Sequence, residues 1–190
     1  YTFEVKISEG YSKTENYKVL VNGILKTSDN GCYTVRADGD LTVEVLGVAD
    51  ITAPDAEIEI NENRFNSFMN SVTFGLFFKK TLNVTVTASD KGSGLQTAEY
   101  LLSETAFADA DSVIGSWTTL TVKDGKASFT IEPDKKAFVY VRVTDRSGNM
   151  RIINSDGVVV YTDSGKITES VTVTLGNSAE FEVAAGYNTV

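Results

Sequence analysis

The residues best suited to chemistry in this chain are aspartates that directly follow predicted strands. Asp90 opens the segment Asp90–Leu95 (Asp-Lys-Gly-Ser-Gly-Leu), and Asp145 opens the segment Asp145–Asn149 (Asp-Arg-Ser-Gly-Asn). Each segment closes a run of alternating valine and threonine. Loop carboxylates are the ligands that calcium prefers, and calcium takes about six to eight oxygens. Asp90 and Asp145 are therefore the candidate calcium ligands, and calcium is the one cofactor that the sequence suggests.

Other aspartates near predicted loops or module ends are Asp50, Asp55, Asp156 and Asp163. The spacing of a known calcium loop is absent. An aspartate before Ser-Gly also has a simpler role, because its side chain accepts hydrogen bonds from the backbone ahead and glycine adopts positive φ. The sequence favours plain turns over a metal site at these positions.

Catalytic chemistry is poorly supported by the composition. The chain has no histidine and one cysteine, Cys32, so it lacks the commonest general base and any internal disulfide or cysteine-rich zinc site. A carboxylate pair for glycoside hydrolysis remains conceivable among 26 acidic residues, but most of these fall in predicted turns or on solvent faces. We expect no enzyme and no catalytic residue, and we interpret Cys32 as a small buried hydrophobe.

The charge of the chain excludes two classes of partner. The formal net charge is −9, and the lysines and arginines are scattered. Nucleic acids and anionic membrane surfaces both require a basic patch. No apolar run is long enough to cross a bilayer. The chain begins with Tyr1 and carries no signal peptide, which indicates a fragment of a longer protein.

Period-two patterns dominate the chain and predict an all-β fold, an Ig-like β-sandwich with a smaller flanking β module. Residues 1–49 form the small module. Its strongest signal is Asn22-Gly23 between two apolar runs, which predicts a type I′ hairpin. Residues 50–54 contain Thr-Ala-Pro and form a semi-rigid linker, because Pro54 fixes φ and restricts the residue before it.

Residues 50–163 form the large sandwich, with eight or nine strands between Asp-Gly and Ser-Gly turns. Its pattern breaks at 61–71, where Phe65, Phe68 and Met69 have helical spacing after a possible cap at Asn61. We predict a short helix there, and a helical turn or loop over 104–112. The clustered phenylalanines from Phe65 to Phe78 are interpreted as a plug for the open end of the sandwich in preference to an adhesive surface.

Residues 164–190 repeat the opening of the chain. Phe181-Glu-Val183 followed by Gly186-Tyr187 echoes Phe3-Glu-Val5 followed by Gly10-Tyr11, with a gap two residues shorter. The tail is therefore predicted to start a further small module. The first small module then lacks its own first strand.

Several motifs of the large module match a known family. They are Asp50–Pro54 (Asp-Ile-Thr-Ala-Pro), Phe74–Phe78, Ala88–Leu95, Glu99–Leu101, Trp117 and Val141–Asn149. With them the module resembles the extracellular Ig-like repeats of Gram-positive, especially Firmicutes, surface proteins. The small module, with Gly10-Tyr11 and Val21-Asn22-Gly23, resembles the small β repeats that accompany them. The resemblance implies a non-catalytic module of a cell-surface or secreted bacterial protein, whose partners are neighbouring modules of the same chain.

Three functions remain open on the sequence. The first is a spacer or adhesion segment. The second is a recognition module for a host protein, such as an immunoglobulin, or for a glycan, on which Trp117 and Tyr100 could stack. The third is an accessory module of a secreted glycosidase or protease. A Lys–Asn isopeptide crosslink of the kind found in pilin-like sandwiches is a further possibility that the sequence does not place.

Overall fold

The computed structural model describes residues 1–162 and, for the backbone only, the strands at 170–175 and 179–184. Nearly all regular structure is β, which confirms the predicted fold class. The only helical element in the described residues is one 3₁₀ turn, Ala110–Ser112. The strands are β1 Thr2–Glu4, β2 Tyr11–Val21, β3 Ile24–Lys26, β4 Cys32–Thr34, β5 Val43–Asp50, β6 Asp55–Ile60, β7 Asn63–Phe65, β8 Phe74–Phe78, β9 Leu82–Ser89, β10 Leu95–Ser103, β11 Thr118–Thr119, β12 Lys126–Ile131, β13 Lys135–Asp145, β14 Met150–Asn154, β15 Gly157–Val160, β16 Ser170–Leu175 and β17 Ala179–Ala184.

The first fifty residues form two small sheets, β1–β4 and β3–β2–β5. The β2–β3 hairpin turns at Asn22 and Gly23, with φ values of 48° and 77°. Positive φ at both central positions is what a type I′ turn requires, so the predicted hairpin is confirmed. Val19 and Val21 of β2 and Tyr33 of β4 are the buried hydrophobic residues of these strands.

The residues after the linker form a β-sandwich. One sheet has the order β12–β9–β6–β7, and the other has the order β11–β10–β13–β15–β8 with β14 also paired to β13. Alternate residues of β6 and β9 point inward, as their valine and isoleucine pattern predicts. The fully buried members of the core include Ile58, Ile60, Val84, Val139, Val141, Val143 and Val158.

The predicted helix over 61–71 is wrong. Asn61 has a φ of 55° and starts a tight turn that brings β7 back against β6, with Asn63 opposite Ile60. The spacing of Phe65, Phe68 and Met69 does not mark one helix face, since Phe65 packs against the main core and Phe68 packs against the cluster around Tyr140. Met69 is held by Asn154, whose side chain accepts from its N–H at 2.7 Å and donates to its carbonyl at 3.0 Å. At 104–112, where a helical turn or a loop was expected, the chain forms a loop that ends in the 3₁₀ turn.

Strand β13 fixes the positions of the two Asp-containing corners. It is eleven residues long, and its last residue, Asp145, lies opposite Leu95 at the start of β10. The segment from Asp90 to Gly94 joins β9 to β10, and the segment from Arg146 to Asn149 joins β13 to β14. Both corners therefore lie at one end of the sandwich, beside the residues that connect it to the small module.

Candidate functional site

The structure brings the two candidate calcium ligands together. One carboxylate oxygen from each of Asp50, Asp90 and Asp145 lies within 4.8 Å of the other two. Asp50 and Asp145 are buried and Asp90 is half-buried. We call these three residues the aspartate cluster. It was found among the described residues, and it joins the last residue of β5 to both corners of the large module.

Asp145 is held by the turn that follows it. The backbone N–H of Asn149 donates to Oδ1 at 2.8 Å, and the side-chain amide of Asn149 donates to Oδ2 at 2.7 Å. Burial by itself raises the pKa of Asp145, but the hydrogen bonds from Asn149 and from Ser93 and Ser147 outweigh it, so the pKa lies below the ordinary value. The carboxylate is therefore charged at neutral pH although it is buried.

Asp50 receives donors from both sides of the linker. Thr52 N–H donates to Oδ1 at 2.9 Å, and Ser93 N–H donates to Oδ2 at 2.7 Å. These two backbone hydrogen bonds lower the pKa of Asp50, against the smaller opposing effects of burial and of the Asp145 charge. A side chain at Gly92 would collide with this carboxylate, since a Cβ there would lie 2.0 Å from Oδ2. Glycine at 92 is what allows the corner to approach Asp50.

Asp90 closes its own turn by accepting from Gly94 N–H at 2.6 Å. The two corners are then bonded to each other. Arg146 N–H donates to the carbonyl of Gly94 at 3.0 Å, and Ser147 N–H donates to Ser93 Oγ at 3.2 Å. The corners therefore form one hydrogen-bonded unit.

The small module is attached to this unit through Asp50. Asn149 Nδ2 donates to the backbone carbonyl of Asp50 at 3.0 Å, and Ile51 N–H donates to the carbonyl of Gly10 at 2.9 Å. The linker is thus bonded at its beginning to both modules. We call this set of contacts the Asp50 joint.

The chemistry of the cluster favours a joint over a metal centre. Five of its six carboxylate oxygens accept an N–H hydrogen bond: both of Asp50, both of Asp145, and Oδ2 of Asp90. Within residues 1–162 no ion pair reaches the cluster. A cation would relieve the mutual repulsion of the three carboxylates, but it would have to share oxygens that the backbone already uses.

Two other predicted calcium candidates, Asp55 and Asp156, are not part of the cluster. Asp55 is exposed and pairs with Arg151 at 3.6 Å. Asp156 lies in the turn between β14 and β15, where its carbonyl accepts from Ser155 Oγ at 2.7 Å. Asp163 lies outside the described residues.

An open cleft of about 220 Å³ lies beside the joint, between the small-module loop at Glu9–Tyr11 and the corner at Asp90–Gly92. Pockets for organic ligands usually have about 300–1,000 Å³ and a mainly apolar lining. This cleft is smaller than such pockets, and Asp55, Lys91 and Arg151 are among the residues that line it.

Four of the five phenylalanines between Phe65 and Phe78 pack against the two cores of the large module. Phe68 and Phe74 belong to a second buried cluster around Tyr140, while Phe65 and Phe78 pack against the main core. Phe77 differs, since it is 62% exposed. Arg142 covers the Trp117 ring at 4.5 Å, and Tyr100 stacks on Phe129 at 3.9 Å, so neither ring is presented as a free platform for a sugar.

Cys32 is half-buried, where a buried side chain was expected, and its Sγ lies 3.8 Å from Glu4 Oε1. Its register position opposite Glu4 places it at the margin of the small core.

Comparison with known proteins found no family model that matches this chain and no similar curated protein. No helix in the described part of the chain is long and apolar enough to cross a bilayer.

Sequence reasoning had named Asp50, Asp90 and Asp145 separately, but it missed Gly92, Ser93 and Asn149 as the residues that unite them. The Ser-Gly pattern of the corners was the available signal, and it indicated turns without indicating that the turns meet.

Proposed function

We propose that this chain is a non-catalytic spacer segment of an extracellular bacterial protein, in which β modules follow one another in series. The observation that carries the proposal is the position of the two ends of the sandwich. The chain enters at Asp55, which Arg151 and the Asp50 joint place at the Asp145 end of β13. It leaves after Val160, which lies opposite Lys135 at the other end of β13.

This arrangement separates the two attachment points by the full length of a strand. Ten steps along β13 correspond to about 34 Å. A chain that enters and leaves at opposite ends adds this length to the reach of the protein with each copy.

Tension between the two ends loads the terminal strands along their axes. β6 runs away from the Asp145 end and is paired with β9 over six residues. β15 runs toward the Lys135 end and is paired with β13 on one side and with β8 on the other. Pulling therefore shears whole ladders together, which supports a mechanical role.

The Asp50 joint supports the same role at the linker. Hydrogen bonds from Thr52, Ser93 and Asn149 hold one residue of the linker in place. A spacer with a fixed joint projects its distal region more effectively than one with a free hinge.

The electrostatics of the aspartate cluster support the absence of catalysis. A carboxylic acid that donates a proton at neutral pH needs a raised pKa. The pKa values of Asp50 and Asp145 are both lowered. Asp50 and Asp145 are thus suited to accept hydrogen bonds and not to act as a general acid.

Single-molecule force spectroscopy tests the proposal. We expect the large module to unfold at high force when it is pulled between Asp55 and Val160, in the shear direction. The matched control pulls between Asp55 and Ser89, which lie opposite each other at one end of the β6–β9 pair. That geometry opens bonds one at a time, so the force is expected to be much lower.

Equal forces in the two geometries would contradict a load-bearing role. Specific capture of a serum protein or of a glycan on an array would instead favour the recognition function.

A further inference from the structure

We propose that Asn30 is a site of spontaneous chemical modification, at which the side-chain amide is converted to aspartate and isoaspartate. The other Asn-Gly pair, at Asn22, is protected from the same reaction by its hydrogen bonds. This inference does not depend on the spacer function. It rests on a comparison of two turns that share their dipeptide and their backbone conformation.

The reaction needs an asparagine that is followed by an unhindered backbone nitrogen, which glycine provides because it has no Cβ. That nitrogen attacks Cγ of the asparagine and forms a C–N bond. The side-chain NH₂ group leaves as ammonia with the proton of the attacking N–H. Water then opens the cyclic imide, giving aspartate when the bond to Cγ breaks and isoaspartate when the bond to the backbone carbonyl carbon breaks. Water is the only co-reactant, and nothing is oxidised or reduced.

The two Asn-Gly pairs of the chain are closely matched. Asn22 and Asn30 are both exposed and both have a φ of 48°, and Gly23 and Gly31 have φ values of 77° and 84°. Nothing lies within 4 Å of a Cβ placed at either glycine, so the two attacking nitrogens are equally accessible. The dipeptide and its conformation therefore give no reason for different rates.

Neither pair reacts while its turn is closed. The first central residue of a type I′ turn has a ψ of about +30°, the mirror image of type I. This angle places the next backbone nitrogen almost opposite Cβ across the Cα–C bond, so it cannot reach Cγ. The reacting atoms meet only after ψ rotates and the turn opens. The rate is therefore proportional to the fraction of time for which each turn is open.

The turn at Asn30 is weakly closed. Asp29 and Cys32 exchange two backbone hydrogen bonds of 2.8 and 2.9 Å around it, and this pair is an isolated bridge. β3 ends at Lys26 and β4 pairs with β1, so no ladder continues from the turn. The side chain of Asn30 forms no hydrogen bond among the described residues.

The turn at Asn22 is held by a third segment of the chain. Thr42 N–H donates to Asn22 Oδ1 at 2.8 Å, and the carbonyl of Thr42 accepts from Asn22 N–H at 2.9 Å. The β2–β3 ladder also continues from this turn over three register pairs. Reaction at Asn22 requires the loss of the two bonds to Thr42 in addition to those of the turn. Two further hydrogen bonds reduce the open fraction at least about tenfold.

Modification at Asn30 changes the end of a strand. Isoaspartate carries the chain through Cβ and adds one atom to the backbone of the turn, and either product adds a negative charge beside Asp29. The bridge between Asp29 and Cys32 closes this turn, and Cys32 is also the last residue of β4 to pair with β1, opposite Glu4. The reaction therefore loosens this end of β4.

Peptide mapping of the wild-type chain tests the proposal. Trypsin cuts after Lys18, Lys26 and Arg36, so the two asparagines fall in separate peptides, 19–26 and 27–36. After incubation in mildly alkaline buffer, mass spectrometry measures the conversion of NH₂ to OH in each peptide. In the folded chain we expect peptide 27–36 to convert at least about tenfold faster than peptide 19–26. In urea the two peptides should convert at similar rates.

The matched control is Asn30→Gln, because glutamine would have to close a larger ring. This variant should lose the conversion of peptide 27–36 and keep the slow conversion of peptide 19–26. An unmodified peptide 27–36 in the folded wild type, or equal rates for the two peptides there, would overturn the proposal. The same difference in rate in urea would also overturn it, since the neighbouring residues and not the hydrogen bonds would then be the cause.

Discussion

The side-chain amide of Asn149 donates a hydrogen bond of 3.0 Å to the backbone carbonyl of Asp50, 99 residues earlier in the chain. The same nitrogen also donates to Asp145 Oδ2 at 2.7 Å. One amide group therefore couples the turn after β13 to the end of the small module.

Asn149→Ala removes the two hydrogen bonds that the side-chain amide donates, to Asp145 Oδ2 and to the backbone carbonyl of Asp50, and it leaves that carbonyl without its partner. We expect the urea midpoint of unfolding to fall by roughly 0.5–1 M, because an unsatisfied buried group is costly. Arg146→Ala, at an exposed position of the same turn, is the control and should unfold close to the wild type. Equal midpoints for both variants would show that Asn149 contributes nothing to the joint.

Gly92→Ala should break the joint by steric collision. The added Cβ would lie 2.0 Å from the Asp50 carboxylate, a distance that no side-chain rotation of residue 92 can relieve. We expect X-ray scattering to show a broader distribution of distances between the modules. Gly75→Ala is the matched control, since nothing lies within 4 Å of a Cβ at that position. A distribution as narrow as that of the wild type would refute a steric requirement for glycine.

The aspartate cluster should make stability depend on acid. The folded pKa values of Asp50 and Asp145 lie below the ordinary value of 3.8. The contribution of each carboxylate to the free energy of unfolding is present in full above pH values near 3.8. It is lost as the pH falls from there toward the lower folded pKa, because the unfolded chain takes up protons first. Urea unfolding between pH 7 and about pH 2.5 measures this loss. Asp145→Asn should flatten the profile, and an unchanged slope would contradict the assignment.

Calcium should have little effect on stability. Each of the four carboxylate oxygens of Asp50 and Asp145 already accepts an N–H group, so a cation would have to share these oxygens with existing hydrogen bonds. We expect the same melting temperature in a chelator and in about 5 mM calcium, a concentration that fills the weak sites of extracellular modules. A melting temperature that rises with calcium in the wild type and not in Asp90→Asn would identify the cluster as a metal centre.

The extent to which the sequence predicts this structure depends on how local each signal is. Asn22-Gly23 specifies its hairpin because the positive φ angles are a property of those two residues. The alternation in β9 predicts its buried face for the same reason, since the period of two is intrinsic to a strand.

The predictions that fail depend on contacts between residues far apart in the sequence. Phe65, Phe68 and Met69 have the spacing of a helix face. The turn at Asn61 and the hydrogen bonds between Asn154 and Met69 decide the structure instead. Asn154 lies 85 residues away from Met69, so no local pattern contains this information. The aspartate cluster is similar. Each aspartate is visible as a turn residue, but the meeting of the corners depends on the pairing of β10 with β13.

The Asp50 joint makes the rigidity of the linker at residues 50–54 depend on the folding of the large module. Ser93 and Asn149 donate to Asp50 across sequence separations of 43 and 99, and each lies in a corner of the large module. Residues 50–54 therefore gain these hydrogen bonds only when both corners of the large module are in place. The linker therefore becomes rigid only when the large module has folded. A misfolded large module would leave the small module flexibly attached.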